Sequence, residues 1–130
     1  MQNKNVNKQI KVLIIDDEKI VIQGIKKGLE YNSGFSVKGA TSGKEAVDLI
    51  KNEFFDIVLT DLVMPNMNGV DTCKAIRKIS PKTEVLLLSG YPQEIEELHK
   101  SFEDAGGKDV YLRKPLLTDE VKDAINKVLV

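Results

Sequence analysis

A doubly wound α/β fold, with five parallel strands and five helices, is what this sequence predicts. Three observations carry that expectation. Short β-branched apolar runs alternate with longer amphipathic stretches five times, with no internal repeat or linker between them. Three of the runs are continuous Ile/Val/Leu stretches, as strands covered on both faces should be. The chain has 130 residues, 42% of them hydrophobic, which is the size of one ordinary domain able to bury roughly two thirds of its unfolded surface.

The polar start MQNKNVNKQ reads as a flexible tail over residues 1–9, ahead of a single domain spanning 10–130. The strands are expected at Ile10–Ile15, Phe35–Ala40, 56–60, 83–88 and 110–112, and a helix should follow each. Ser42 and Glu45 stand at capping-box spacing and mark the start of the second helix. In the third, Val70, Cys73, Ile76 and Ile79 recur every three residues, which gives that helix one face to bury. Ile95, Leu98, Phe102 and Ala105 make the corresponding stripe of the fourth, and Val121, Ala124, Ile125 and Val128 that of the fifth. The fifth begins after Thr118 with Asp119 and Glu120, acids that suit the positive end of a helix dipole. Right-handed crossovers then favour the flavodoxin-like strand order 2-1-3-4-5, in which the first and third strands meet where the winding reverses.

Composition excludes several functions. Nineteen basic and twenty acidic residues give a formal charge of -1, so no chain-wide positive field exists to hold nucleic acid. A single cysteine, Cys73, rules out an internal disulfide and fits a reducing compartment, so a cytoplasmic location is expected. Cys73 lies on an apolar stripe and reads as a small core residue. No apolar run approaches the length of a membrane span.

In a sheet of this kind ligands sit beyond the carboxyl ends of the strands at the switch point. Asp16 and Asp17 directly follow the first strand and Asp61 the third, so three acids distant in sequence should converge there. Two unit charges about 4 Å apart repel by roughly 4 kcal/mol at an effective dielectric of 20, so such a cluster calls for a cation. Oxygen ligands and room for water and phosphate suit Mg²⁺, with Mn²⁺ as a substitute. Ser89, at the end of the fourth strand, and Lys114, just past the fifth, can both bind phosphate oxygens. If Asp61 attacks phosphorus, the protein contributes mainly position and charge. Three carboxylates balance Mg²⁺ and Lys114, and an added phosphoryl group tips the site negative, favouring inward movement of the Ser89 hydroxyl.

Four stretches, Val12-Leu13-Ile14-Ile15-Asp16-Asp17-Glu18, Asp61-Leu62-Val63-Met64-Pro65-Asn66-Met67-Asn68-Gly69, Leu88-Ser89-Gly90 and Tyr111-Leu112-Arg113-Lys114-Pro115, together resemble the receiver domain of two-component response regulators. The resemblance runs from Ile10 onward and is closest to the single-domain, chemotaxis-regulator type. It implies that Asp16, Asp17, Asp61 and the Val63 carbonyl hold Mg²⁺, that Asp61 is the phosphoacceptor, and that Ser89 and Lys114 contact the phosphoryl group. It further implies a phosphohistidine donor on a sensor histidine kinase or phosphotransfer protein, and a downstream protein target reached through the face of the fourth helix, fifth strand and fifth helix. Tyr111 would be an aromatic switch turning inward with Ser89, and the bond before Pro115 would be cis. The chain would catalyse only its own phosphorylation and dephosphorylation. Between Ser89 and Tyr111 it is slightly longer than is usual in that family, which points to an unusual fourth helix or exit loop around 105–110. Val63 and Tyr91, two residues beyond Asp61 and Ser89, cannot readily activate water, so slow self-dephosphorylation is expected.

Other readings compete. Taken singly, Asp16-Asp17 is an N-cap, Asp61 a turn residue, Lys114 a surface lysine and Tyr111 a half-buried strand aromatic. His99 and the Glu94, Glu96, Glu97 cluster read as solvated helix surface. A phosphatase with an aspartate nucleophile would want a second acid two residues on, where Val63 stands. Gly34 to Gly39 has P-loop glycine spacing but continues into Ala40-Thr41 without the lysine. A receiver excised from a hybrid sensor kinase, or a receiver-like interaction module that takes no phosphate, are the remaining alternatives.

Overall fold

The computed structural model describes residues 9–31, 34–65 and 67–129, so the expected tail falls almost wholly outside the described residues. The elements run β1 (Ile10–Ile15), α1 (Lys19–Glu30), β2 (Phe35–Ala40), α2 (Gly43–Asn52), β3 (Ile57–Asp61), α3 (Gly69–Ile79), β4 (Glu84–Ser89), α4 (Pro92–Asp104), β5 (Tyr111–Arg113) and α5 (Thr118–Leu129). All five strands are parallel, in the order β2-β1-β3-β4-β5. No described helix is long and apolar enough to cross a membrane.

The period of two along each strand sorts the apolar residues between the faces of the sheet. Val12, Ile14, Ile57, Leu59, Leu86 and Leu88 face α1 and α5, whose Ile22, Ile25, Leu29, Val121 and Ile125 complete that core. Leu13, Ile15, Val58, Val85 and Leu87 face the other way, onto Ala46 and Ile50 of α2, Cys73 and Ile76 of α3, and Phe102 of α4. Each Val, Leu, Ile or Phe among them, once fully buried, contributes about 1.5–3 kcal/mol. The stripes are less even than the sequence suggests. Ile79 is exposed, and on α4 only Phe102 is fully buried, while Ile95 and Leu98 are partly covered.

Three strands begin and end one residue later than expected. Asp61 is therefore the last residue of β3, level with Leu88, and Ser89 the last of β4, level with Arg113. The ladder of the neighbouring strand decides where a parallel strand ends, and a terminal acid or serine does not break it. At α2, Ser42 accepts the Glu45 N–H at 3.1 Å as expected, but the Glu45 carboxylate reaches one residue further back, to the Thr41 N–H at 2.7 Å.

The exit of α4 corrects another expectation, because it is an ordinary Schellman ending. The N–H groups of Gly106 and Gly107 return to the carbonyls of Glu103 and Phe102, each at 3.0 Å, and Gly106 takes a φ of 102° that a side chain would resist. Lys108 N–H then bonds the Val85 carbonyl at 3.0 Å, fixing the exit to β4.

Candidate phosphoacceptor and metal site

β1 and β3 are neighbours, and their carboxyl ends bring Asp16, Asp17 and Asp61 together. One carboxylate oxygen from each lies within 4.8 Å of the others. Asp16 is fully buried, Asp61 nearly so, and Asp17 is open to solvent. The Asp16 Oδ1 accepts the Glu18 N–H at 2.8 Å, an Asx turn just ahead of α1, whose N-cap Glu18 makes no side-chain capping bond. Its buried Oδ2 is met by the Lys114 ammonium at 2.6 Å, a short ion pair.

Lys114 arrives there because its N–H continues the β5 ladder onto the Ser89 carbonyl at 2.9 Å. The bond to Pro115 is cis. The ammonium also lies 3.2 Å from Asp61 Oδ2, while Asp61 Oδ1 accepts the Leu62 N–H at 2.9 Å. Gly69 packs against this same backbone. A Cβ there would sit 2.6 Å from the Asp61 carbonyl oxygen, so only glycine lets α3 start beside the acid.

Burial raises the Asp61 carboxyl above the ordinary range; the Lys114 charge pulls it down, and the Asp16 charge pushes it up again. Burial works to lower the Lys114 ammonium, but the carboxylates of Asp16 and Asp61 outweigh it and hold it above an ordinary lysine. Both shifts express one imbalance. Asp16, Asp17 and Asp61 stand against the single Lys114 ammonium, and Glu18 and Glu94 at the cleft add to a negative excess that a divalent ion would offset. The all-oxygen donor set and the excess of carboxylates over the one lysine fit a small hard cation such as Mg²⁺.

An open cleft of about 510 Å³ lies over the acids, lined by Asp17, Glu18, Asp61, Val63, Gly90, Tyr91, Glu94 and Lys114. Val63 and Tyr91, 52% and 65% exposed, put apolar surface at its rim. Ser89 is fully buried beside it. Its hydroxyl bonds to the turn entering α4, meeting Glu94 Oε1 at 2.9 Å and the Tyr91 N–H at 3.0 Å.

Tyr111 does not line the cleft. Its ring lies edge-on to His99 and tilted against Phe102, with centroids 6.3 and 6.4 Å away, and its hydroxyl donates to Glu103. Burial, and then the Glu103 carboxylate, push the phenol well above its ordinary range. Sequence reasoning missed the roles of Glu94 and Glu103, whose partners come from other elements. His99 is exposed as expected, with its Nδ1 3.6 Å from the Glu103 carboxylate one turn along the same helix. Cys73 is buried as expected, its thiol raised by desolvation to about 11.

Residues 12–126 match the family described as response regulator receiver domain. The chain is 37% identical over 120 residues to the cell cycle transcriptional regulator CtrA of Caulobacter vibrioides, covering 92% of this chain and 50% of that protein. It is also 37% identical over 119 residues to the chemotaxis protein CheY of Thermotoga maritima, covering 91% and 96%. The chain thus spans about half the length of CtrA and nearly all of that CheY. A solved CheX–CheY–BeF3–Mg²⁺ complex from Borrelia burgdorferi superimposes with a TM-score of 0.86 at 27% identity, covering 98% of this chain and 95% of that one.

Proposed function

Since this chain belongs to the response regulator receiver domain family, we propose that it is a phosphorylation-dependent signalling switch whose phosphoacceptor is Asp61. The observation that carries this reading is the convergence of Asp16, Asp17 and Asp61 at the sheet's switch point, with the Lys114 ammonium paired to Asp16 and Asp61. Asp16, Asp17, Asp61 and the Val63 carbonyl would hold Mg²⁺, with Mn²⁺ as a substitute. When bound, the ion supplies charge that offsets the phosphoryl oxygens.

The donor is a phosphohistidine of a sensor histidine kinase or phosphotransfer protein, which places the chain in the cytoplasm with it. An Asp61 oxygen attacks phosphorus; the new O–P bond forms as the P–N bond breaks, and the electron pair leaves with the imidazole. Lys114 stays paired with the acids until the phosphoryl oxygens arrive and then turns to them. Ser89 donates its hydroxyl to one of those oxygens, and Tyr111 follows by leaving Glu103. The face of α4, β5 and α5 changes shape and meets a downstream protein. Chemistry is confined to the chain's own phosphorylation and dephosphorylation.

Intact mass after incubation with Mg²⁺ and a small acyl-phosphate donor tests this. The parent should gain one phosphoryl group and Asp61→Ala none; a parent that stays unmodified, or an alanine variant that still gains the mass, sinks the reading. The bulky rim predicts a long-lived phosphoryl group, because Val63 is apolar and neither it nor the Tyr91 phenol supplies a carboxylate or amide to activate attacking water. Val63→Asn with Tyr91→Glu should speed its loss by about tenfold or more, within the range of a positioned general base. Decay followed by intact mass at an unchanged rate would contradict this account of the rim.

A further inference from the structure

Ser89 has one hydroxyl proton, and the turn into α4 already competes for it. Two acceptors lie in reach, Glu94 Oε1 at 2.9 Å and the Tyr91 carbonyl at 3.1 Å. The carboxylate wins, because charge-assisted hydrogen bonds are roughly twice as strong as neutral ones. Tyr91 is the N-cap of α4, which makes Glu94 its third residue. In a capping box that acid would take the N-cap N–H directly. Here the Tyr91 N–H goes to the Ser89 oxygen and the Ser89 proton to Glu94, so the hydroxyl is inserted between cap and acid. Glu94 also lines the cleft beside Asp61. One carboxylate therefore borders the space a phosphoryl group would enter and holds the donor that group needs.

We propose that Glu94 is a positioning residue for phosphoryl acceptance, which retains the Ser89 hydroxyl on the α4 side until the acceptor is charged. This rests on the reading of Asp61 as phosphoacceptor and deepens it. An arriving phosphoryl group carries about -1.5 to -2 charges. It repels the Glu94 carboxylate and competes for the same proton, so the Ser89–Glu94 bond and a Ser89–phosphoryl bond exclude each other. Part of the free energy of binding the phosphoryl group is then spent on breaking the first bond, and removing Glu94 returns it.

Beryllofluoride with Mg²⁺, a non-covalent acyl-phosphate mimic, is titrated into the full chain and followed by the Gly90 and Tyr91 amide resonances. Glu94→Ala should tighten binding by about fivefold or more, the lower end of coupling between sites. Glu94→Gln, whose amide oxygen still accepts the hydroxyl, should stay closer to the parent than to the alanine variant. On a Ser89→Ala background, Glu94→Ala should tighten binding clearly less than it does in the parent, leaving only the relief of the carboxylate's charge. An unchanged dissociation constant for Glu94→Ala overturns the proposal. So does equal tightening with Ser89 absent, or with glutamine in place, since Glu94 would then act only as a charge in the cleft. Without metal or mimic, Glu94→Ala should shift the Tyr91 amide resonance, and no shift counts against the bond itself. A parent that neither binds beryllofluoride nor gains phosphoryl mass fails at Asp61 and takes this proposal with it. That outcome is distinct from a parent that binds while its Glu94 variants do not differ.

Discussion

Lys114→Met is expected to lower the unfolding free energy by about 3 kcal/mol at neutral pH and to abolish phosphoryl acceptance, the low end of the cost of breaking a buried ion pair. Methionine keeps the apolar stem and removes the charge. Asp16 Oδ2 then loses the cation that meets it at 2.6 Å, and Asp61 loses the interaction that most opposes its burial. The pH dependence follows from that second loss. With Lys114 gone the Asp61 carboxyl rises further above its unfolded value, so the native state binds more protons than the unfolded chain between the two values. Stability falls as pH rises through that window. The deficit should be fully expressed above the folded value, shrink as pH falls through the window, and reach its minimum below the unfolded carboxylate range, about pH 4. Urea titrations of parent and variant at neutral and acid pH decide it. A deficit under about 1 kcal/mol, or one that acid does not reduce, would show that Lys114 is not holding the acids together.

Asp61→Asn should behave in the opposite way. Burial and the Asp16 charge hold this carboxyl above its ordinary range despite Lys114, so its ionised form costs stability at neutral pH. The amide keeps the shape and can still accept the Leu62 N–H. In metal-free buffer the variant should gain about 1 kcal/mol, a typical return for relieving a strained functional site, and the gain should vanish below the ordinary carboxylate range. Mg²⁺ at ten times its dissociation constant would add about 1.4 kcal/mol to the parent. The variant, one carboxylate short, should gain less. Thermal melts with chelator and with Mg²⁺ measure both differences. Equal metal responses would argue against Asp61 as a ligand, and a variant that melts lower without metal would argue against the charge imbalance.

Much of this site is legible in the sequence, for a physical reason. Apolar runs fix which segments are strands, and parallel order then fixes which ends meet, so Asp16, Asp17, Asp61 and Lys114 converge as the pattern requires. Ser89 lies where expected, yet its hydroxyl points to a partner that periodicity does not reveal. Glu94 looks like an ordinary solvated helix acid and Glu103 is not singled out at all, because helical spacing reports only neighbours on the same helix. Their partners, Ser89 and Tyr111, come from the strand ends on either side of α4. The same limit applies at Thr41, where Glu45 bypasses the cap residue, and at Gly69, whose need to be glycine follows from the Asp61 backbone it touches.

The two ends of α4 are fastened differently. Its rear is bolted down by the Gly106–Gly107 turn, by Phe102 sunk in the core and by Lys108 stitched to β4. Its front is joined to the sheet through the short turn in which Ser89 binds Tyr91 and Glu94. Loss of the Ser89–Glu94 hydrogen bond would leave the front held mainly by the partial packing of Ile95 and Leu98, so any displacement of the helix would be widest beside the mouth of the cleft.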